Sequence, residues 1–318
     1  MAQHFDVAVV GMQTSGIIAA ALLAKRGRRV LLVDHGENTT TYRRQGLSLP
    51  LLPNLVPSLE QAPHVQRVHD ELGLGPELRA LSKALDPSFQ AVLPKHRLDI
   101  RSNREALLEE LRLEFPDLVQ PAEAFFTRLF AVDDALSAFL AGDPPLPPNS
   151  WFEGVKHRSQ LAKAAPFNVP FEEGQLLEGI PAGHPVREIL LGPLAFFGHL
   201  WGEAPSTFHA VRLIARYYRG VTALEDGAGG LARLLLQAAE RAGVTVRRGA
   251  VVREVGGKGR RIHEIVIEDE RLSHAAEYFI ANTTGPFYEL LPAERRHPRF
   301  VAEEQAVSAT GSLMVLNL

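Results

Sequence analysis

The sequence predicts an α/β fold, a Rossmann-like sheet domain interrupted by a mainly helical insertion. Three observations predict it. A glycine-punctuated turn near the N-terminus joins an apolar strand to a helix rich in alanine and leucine. Text of helical period then fills the middle of the chain. From Leu224 onward a glycine cluster, a helix and several short apolar runs restore α/β character.

The first unit is the most specific. Val7 to Val10 is an apolar, β-branched run of a length that suits a buried strand. Gly11-Met-Gln-Thr-Ser-Gly16 follows as a turn, and a helix runs from Ile17 to Arg26, stopped by Gly27. A second strand, Val30 to Val33, ends on Asp34. Strand, turn, helix, strand and terminal acid form the layout of a dinucleotide-binding half-domain. The turn presents backbone N–H groups and a helix N-terminus to an anion, so a pyrophosphate binds there without a lysine. Asp34 follows the turn by about 20 residues, where an acid accepts hydrogen bonds from a ribose hydroxyl. The usual G-x-G-x-x-G spacing has a glycine where this chain has Gln13. A side chain there obliges the phosphates to sit further out or the loop to shift.

After Asp34 the chain reads as a polar and then proline-rich loop, in which Arg43 and Arg44 face either solvent or an anion. Helices are expected over Val65 to Gly73 and Pro76 to Leu85, and a two-stranded element over Gln90 to Ile100. Asn103 or Ser102 caps a helix that continues through Phe115, and another helix runs from about Ala122 to Leu140. The prolines between Gly142 and Pro148 form a loop inside this insertion. Pro185 to Trp201 is the most apolar stretch, read as a buried helix or as the lining of a greasy channel or a membrane contact. Asp226-Gly-Ala-Gly-Gly230 opens a helix over Leu231 to Ala242, either as a plain turn or as a ring of N–H groups for a ligand. Strands follow at Val244 to Arg248, Val251 to Val255, Ile262 to Glu268 and Tyr278 to Ala281, the second and third joined by a glycine hairpin. Asn282-Thr-Thr-Gly-Pro ends the run.

Composition narrows the function classes. The 318 residues suffice for two domains, with ordinary hydrophobic (46%) and charged (22%) content. A net charge of −3 gives no reason to expect a nucleic-acid partner. The absence of cysteine removes disulfides, thiolate metal sites and a cysteinyl–flavin link. No apolar run has transmembrane length, nothing resembles a signal peptide, and the expected compartment is the cytoplasm. There is no H-E-x-x-H, no G-x-S-x-G and no P-loop, so no metal site is expected. Asp133 and Asp134 are adjacent on a helix and cannot face each other as an acid–base pair.

The order of parts resembles the flavin-dependent oxidoreductases of the phytoene desaturase and amine oxidase superfamily. DVAVVGMQTSGIIAAALLAKRGRRVLLVD is similar to that family's N-terminal FAD fingerprint. ELGLGPEL and LRLEFPDL resemble its path into the substrate domain, and LEDGAGGLARLLLQAAERAGVTVRRGAVVREV resembles its return to the flavin domain. The resemblance implies FAD as cofactor, with Gly11, Ser15 and Gly16 around the pyrophosphate, Asp34 on the adenosine ribose and Val252 holding the adenine edge through its backbone. Gln13, Thr14, His35 and Arg44 complete the candidate set. It also implies an FAD-binding domain in two parts (1–90 and 224–290), a helical substrate or cap domain (91–223), and an incomplete second substrate segment (291–318). The C-terminus is accordingly expected to be shortened. The implied reaction is hydride transfer to flavin from a small or elongated apolar substrate, for which the protein positions and desolvates the reactants and no catalytic side chain is assigned. Two alternatives stand beside it: a non-catalytic relative acting as a binding or scaffold protein, to which Gln13 and TTTYRRQG in place of a Gly-Gly-Arg motif point, and an NAD(P)-dependent reductase.

Overall fold

The computed structural model describes residues 3–35, 41–50, 54–59, 62–162, 164–200, 206–258, 261–270, 272–283, 287–292, 296–299 and 301–302. Strand β1 (Gln3–Val10) carries a run of buried apolar side chains from Val7 to Val10, and the turn delivers the chain into helix α1 (Thr14–Lys25). Gly16, Ile17, Ala20, Ala21 and Ala24 form the buried stripe of α1, and Gly27 takes the left-handed position after its end at φ +79°. All four residues of β2 (Val30–Val33) are buried, as a strand covered on both faces requires.

The stretch expected as a loop is in part a hairpin. Strands β3 (Thr41–Arg44) and β4 (Leu47–Pro50) pair antiparallel around Gln45 and Gly46, both at positive φ (+51° and +83°). That is the conformation of a two-residue hairpin turn. The Arg43 side chain lies outside the described residues. Strand β5 (Leu55–Pro57) follows, then α2 (Pro63–Leu72) and α3 (Gly75–Leu81). The second expected helix ends early because Ser82–Ala84 becomes strand β6 of a three-stranded sheet, ordered β5-β9-β6.

The middle of the chain follows its periodicity. β7 (Phe89–Leu93) and β8 (His96–Ile100) pair around Pro94 and Lys95, and Asn103 Oδ1 accepts from Ala106 N at 2.9 Å to cap α4 (Arg104–Glu114). α5 (Val119–Ala141) is followed by the proline loop, α6 (Trp151–Gln160), the short α7 (Glu173–Leu176), α8 (Pro185–Phe196), α9 (Thr207–Tyr218) and β9 (Val221–Leu224). Phe125, Phe126, Leu129, Leu190, Ile214 and Tyr218 are central to the core that these helices enclose. Asp133 is 1% exposed and takes Arg212 and Arg216 of α9 and Arg219 just past its end.

α10 (Gly227–Arg241) packs against α1. β10 (Thr245–Arg247), β11 (Val252–Lys258), β12 (Arg261–Ile267) and β13 (Ser273–Ala281) then join the first two strands in a sheet ordered β10-β2-β1-β13-β12-β11. β1 pairs parallel with β2 and β13, and the β11–β12–β13 meander is antiparallel. Residues 259–260 of the expected glycine hairpin, residues 284–286 after β13 and the terminal run Ser312 to Leu318 lie outside the described residues.

The chain divides into two compact units, residues 1–54, 68–81 and 224–318 in one, and residues 55–67 and 82–223 in the other. Residues 55–67 and 82–90, expected in the first domain, count with the helical unit.

Candidate nucleotide-binding site

The turn sits at the carboxyl ends of three parallel strands. Gly11 N donates to Val33 O at 2.8 Å and Asn282 N donates to Val10 O at 2.7 Å, tying the ends of β1, β2 and β13 together. In an open parallel sheet this edge is where ligands bind. Gly11 is at φ +106°, and a Cβ there would lie 2.0 Å from Asn282 O. A Cβ on Gly16 would lie 2.4 Å from Gly11 O and 2.6 Å from Asn282 Nδ2. Both glycines are therefore required by the close approach of the turn to the end of β13.

Gln13 is the N-cap of α1, half-buried at φ −69° and ψ 163°, a backbone conformation any residue adopts, and its side chain caps nothing. Its carbonyl accepts from Ile17 N at 3.0 Å, so the first helical turn is closed behind it. Thr14 and Ser15 are exposed, and Ser15 Oγ donates to Asn282 Oδ1 at 2.8 Å. The N–H groups of that first turn have no intrahelical acceptor and carry the positive end of the helix dipole.

Asp34 continues β2 toward the strand beside it. Its N–H donates to Arg247 O at 3.1 Å, and its Oδ2 accepts from Gly249 N at 3.0 Å. His35 stands at φ +59°, donates its N–H to Ala250 O at 2.7 Å, and accepts from Val252 N at Nδ1 (3.1 Å). Its ring meets Phe287 edge-on at 5.6 Å between centroids. Of the Val252 backbone expected to hold an adenine edge, the N–H is thus already donated to His35. Arg44 is exposed at the end of β3, and no described contact carries it to the turn.

Six buried side-chain polar atoms lack a partner among the described residues, and two of them belong to this site. They are Asp34 Oδ1, an acceptor, and Asn282 Nδ2, a donor. Leaving such groups unpaired costs about 1–3 kcal/mol each, so a bound group that pairs with them recovers that cost. An acceptor beside the sheet edge suits a ribose hydroxyl, and a donor beside the glycine turn suits a phosphate oxygen. The residues present therefore fit a dinucleotide. Asn282 does not stand out in the sequence. Its one signal is position, as the first polar residue after an apolar strand.

The other glycine cluster is accounted for by packing. Asp226 and Gly227 are at φ +56° and +57°, a Cβ on Gly227 would lie 2.0 Å from Asn54 Oδ1, and one on Gly230 would lie 2.4 Å from Glu225 O. In the helical unit, Val186, Ile189, Leu190 and Leu194 of α8 are buried, as the core-helix reading of that stretch expects. A groove of about 410 Å³ runs past its other side, lined by His184, Arg187, Leu191, Phe196 and Leu200 among others. Trp201 lies outside the described residues. Among the described residues no three His, Asp or Glu side chains gather to hold a metal, and no helix is long and apolar enough to cross a membrane.

Residues 9–72 match the model of an NAD(P)-binding Rossmann-like domain. The chain is 24% identical over 255 residues to a 4,4'-diapophytoene desaturase (4,4'-diaponeurosporene-forming) of Staphylococcus haemolyticus, a match covering 78% of this chain and 49% of that protein. The chain thus spans about half the length of this curated relative. A protein from Pyrococcus furiosus superposes with a TM-score of 0.60 at 13% identity, over 96% of this chain and 66% of the other. Putrescine oxidase bound to putrescine superposes at 0.55 and 18%, over 92% and 61%. The two superpositions show the fold, and the sheet domain is Rossmann-like.

Proposed function

We propose that this chain, which fits the phytoene desaturase and amine oxidase superfamily, is an FAD-dependent oxidoreductase acting on an apolar substrate. One observation carries the reading: an unpaired buried acceptor, Asp34 Oδ1, and an unpaired buried donor, Asn282 Nδ2, flank a glycine turn at the carboxyl edge of a parallel sheet. Bound there, FAD would supply a hydride acceptor. The chain's own residues then divide the work. Gly11 and Gly16 let the turn close on β13, the first turn of α1 offers N–H groups to the pyrophosphate, and Asp34 accepts from the ribose. An adenine edge could take the Val252 N–H only by displacing the His35 Nδ1 that accepts it here. Forming a double bond removes a hydride, which FAD would accept, and a proton from the neighbouring carbon, and no side chain is assigned to take that proton.

The apolar substrate class is supported by the desaturase relative. The test is anaerobic. The chain loaded with FAD is exposed to a polyunsaturated hydrocarbon dispersed in detergent, and separately to a primary amine, while the flavin band is followed. Bleaching by the hydrocarbon supports the proposal, bleaching by the amine alone moves the substrate class, and a stable band with both removes the oxidoreductase reading.

A second reading, a non-catalytic binding protein of the same fold, is favoured by the His35–Val252 hydrogen bond, which occupies a group that nucleotide binding would use. A chain that takes up no FAD, NAD⁺ or NADP⁺ supports it over both redox readings.

A further inference from the structure

Large apolar side chains standing singly in solvent need no explanation, but a group of them does. Leu146, Trp151, Phe152 and Val155 are 62%, 75%, 77% and 45% exposed, all within one short stretch of the helical unit. Trp151 and Phe152 contact each other edge to face at 5.1 Å. At about 100° per residue, Trp151, Val155 and Phe152 share one face of α6. Arg158 borders that face on one side and Lys156 on the other, both exposed and, among the described residues, neither ion-paired. The opposite face is anchored: His157 is buried, with its ring against Phe139 of α5 at 5.1 Å.

The acid on this helix is turned to internal use. Glu153 accepts from Asn149 N at 2.7 Å while its own N–H donates to Ser150 Oγ at 3.3 Å, a relative of the capping box in which the glutamate takes the N–H before the cap residue. The outward face therefore combines two aromatic rings and a valine with basic borders. Trp and Phe rings partition to the headgroup level of a bilayer, and lysine and arginine beside them meet anionic headgroups. A face on a helix of ten residues is small against the roughly 800 Å² per partner of a stable protein interface.

We propose that the Trp151–Val155 face of α6 is a peripheral docking point for an anionic lipid surface. Trp151 and Phe152 enter at headgroup level, and Lys156 and Arg158 lie against the headgroup charge. This stands independently of the nucleotide site.

The test is cosedimentation of the purified chain with vesicles of phosphatidylcholine, alone or mixed with phosphatidylglycerol. A Trp201→Phe background makes Trp151 the sole reporter, since the chain has two tryptophans. Trp151 emission is expected to shift to the blue with the mixed vesicles, and binding should exceed that to phosphatidylcholine alone. Trp151→Ser with Phe152→Ser should weaken binding at least about tenfold. Lys156→Gln and Arg158→Gln should each weaken it about fivefold. Unchanged circular dichroism and thermal unfolding would show that the variants stay folded, as exposed positions allow. Two results would overturn the proposal: the double serine variant binding mixed vesicles as well as the parent, or no binding by the parent. So would a parent that sediments as a dimer without binding vesicles and becomes monomeric on the serine substitutions, since the face then serves a second copy.

Discussion

The two oxygens of Asp34 have different surroundings: Oδ2 accepts from Gly249 N, and Oδ1 is buried without a partner. Removing the carboxylate takes away a charged acceptor from any ribose placed there. Asp34→Ala is expected to weaken FAD binding about tenfold to a hundredfold, measured by titration of flavin fluorescence. Asn282→Ala removes the acceptor of Ser15 Oγ and should cost about 0.5–1.5 kcal/mol in urea unfolding as well as weakening nucleotide binding. Gly16→Val acts on the fold too, because its side chain would meet Gly11 O, so lost nucleotide binding should come with a lower Tm. His69 gives a pH signature. Burial holds its imidazole below the ordinary 6.5, partly opposed by Asp70. Above that value both folded and unfolded chains are neutral there. Below it the unfolded chain takes up a proton that the folded chain refuses, so stability falls as pH drops below 6.5. His69→Leu should flatten that part of a Tm-against-pH curve; an unaltered slope would place the dependence elsewhere.

At the scale of elements, α5 and α9 are joined by a buried carboxylate rather than by apolar contact alone. Asp133 takes Arg212, Arg216 and Arg219, and Arg219 also reaches Asp134. Burial lowers the Arg216 pKa, an effect that Asp133 opposes. Asp133→Ala would leave three arginines facing one another and should cost about 3–5 kcal/mol in urea unfolding. The same scale shows what the sequence could and could not reveal. β1, α1 and β2 are legible because glycines and a terminal acid punctuate them. The 41–50 hairpin is not, since its turn is Gln45-Gly46 rather than Asn-Gly or Asp-Gly, and its second strand runs into a proline-rich stretch from Pro50. β6 reads as helix because Ser82–Ala84 becomes a strand only through nonlocal pairing with β9. β13 is readable only from Tyr278, yet it begins at Ser273. Its first half, Ser-His-Ala-Ala-Glu, has little strand character and is held by register with Gln3, His4 and Phe5 of β1.

For the whole molecule, the site's acid and glycine turn can be read in sequence because their spacing is fixed by the sheet. Asn282 cannot, because its place beside Gly11 and Gly16 depends on β13 returning to β1 from the other end of the chain. The same distance in sequence hides the His35–Val252 hydrogen bond. Both are products of one chain returning to one sheet edge, and both bear on the same question. The measurement that reaches it most directly is a titration of FAD into the purified chain and its Asp34→Ala variant, with flavin fluorescence and bound stoichiometry read together. Uptake approaching one FAD per chain is predicted, with a curve shifted about tenfold to a hundredfold toward weaker binding by the substitution. Equal curves for the two proteins, or no uptake by the parent, would contradict it.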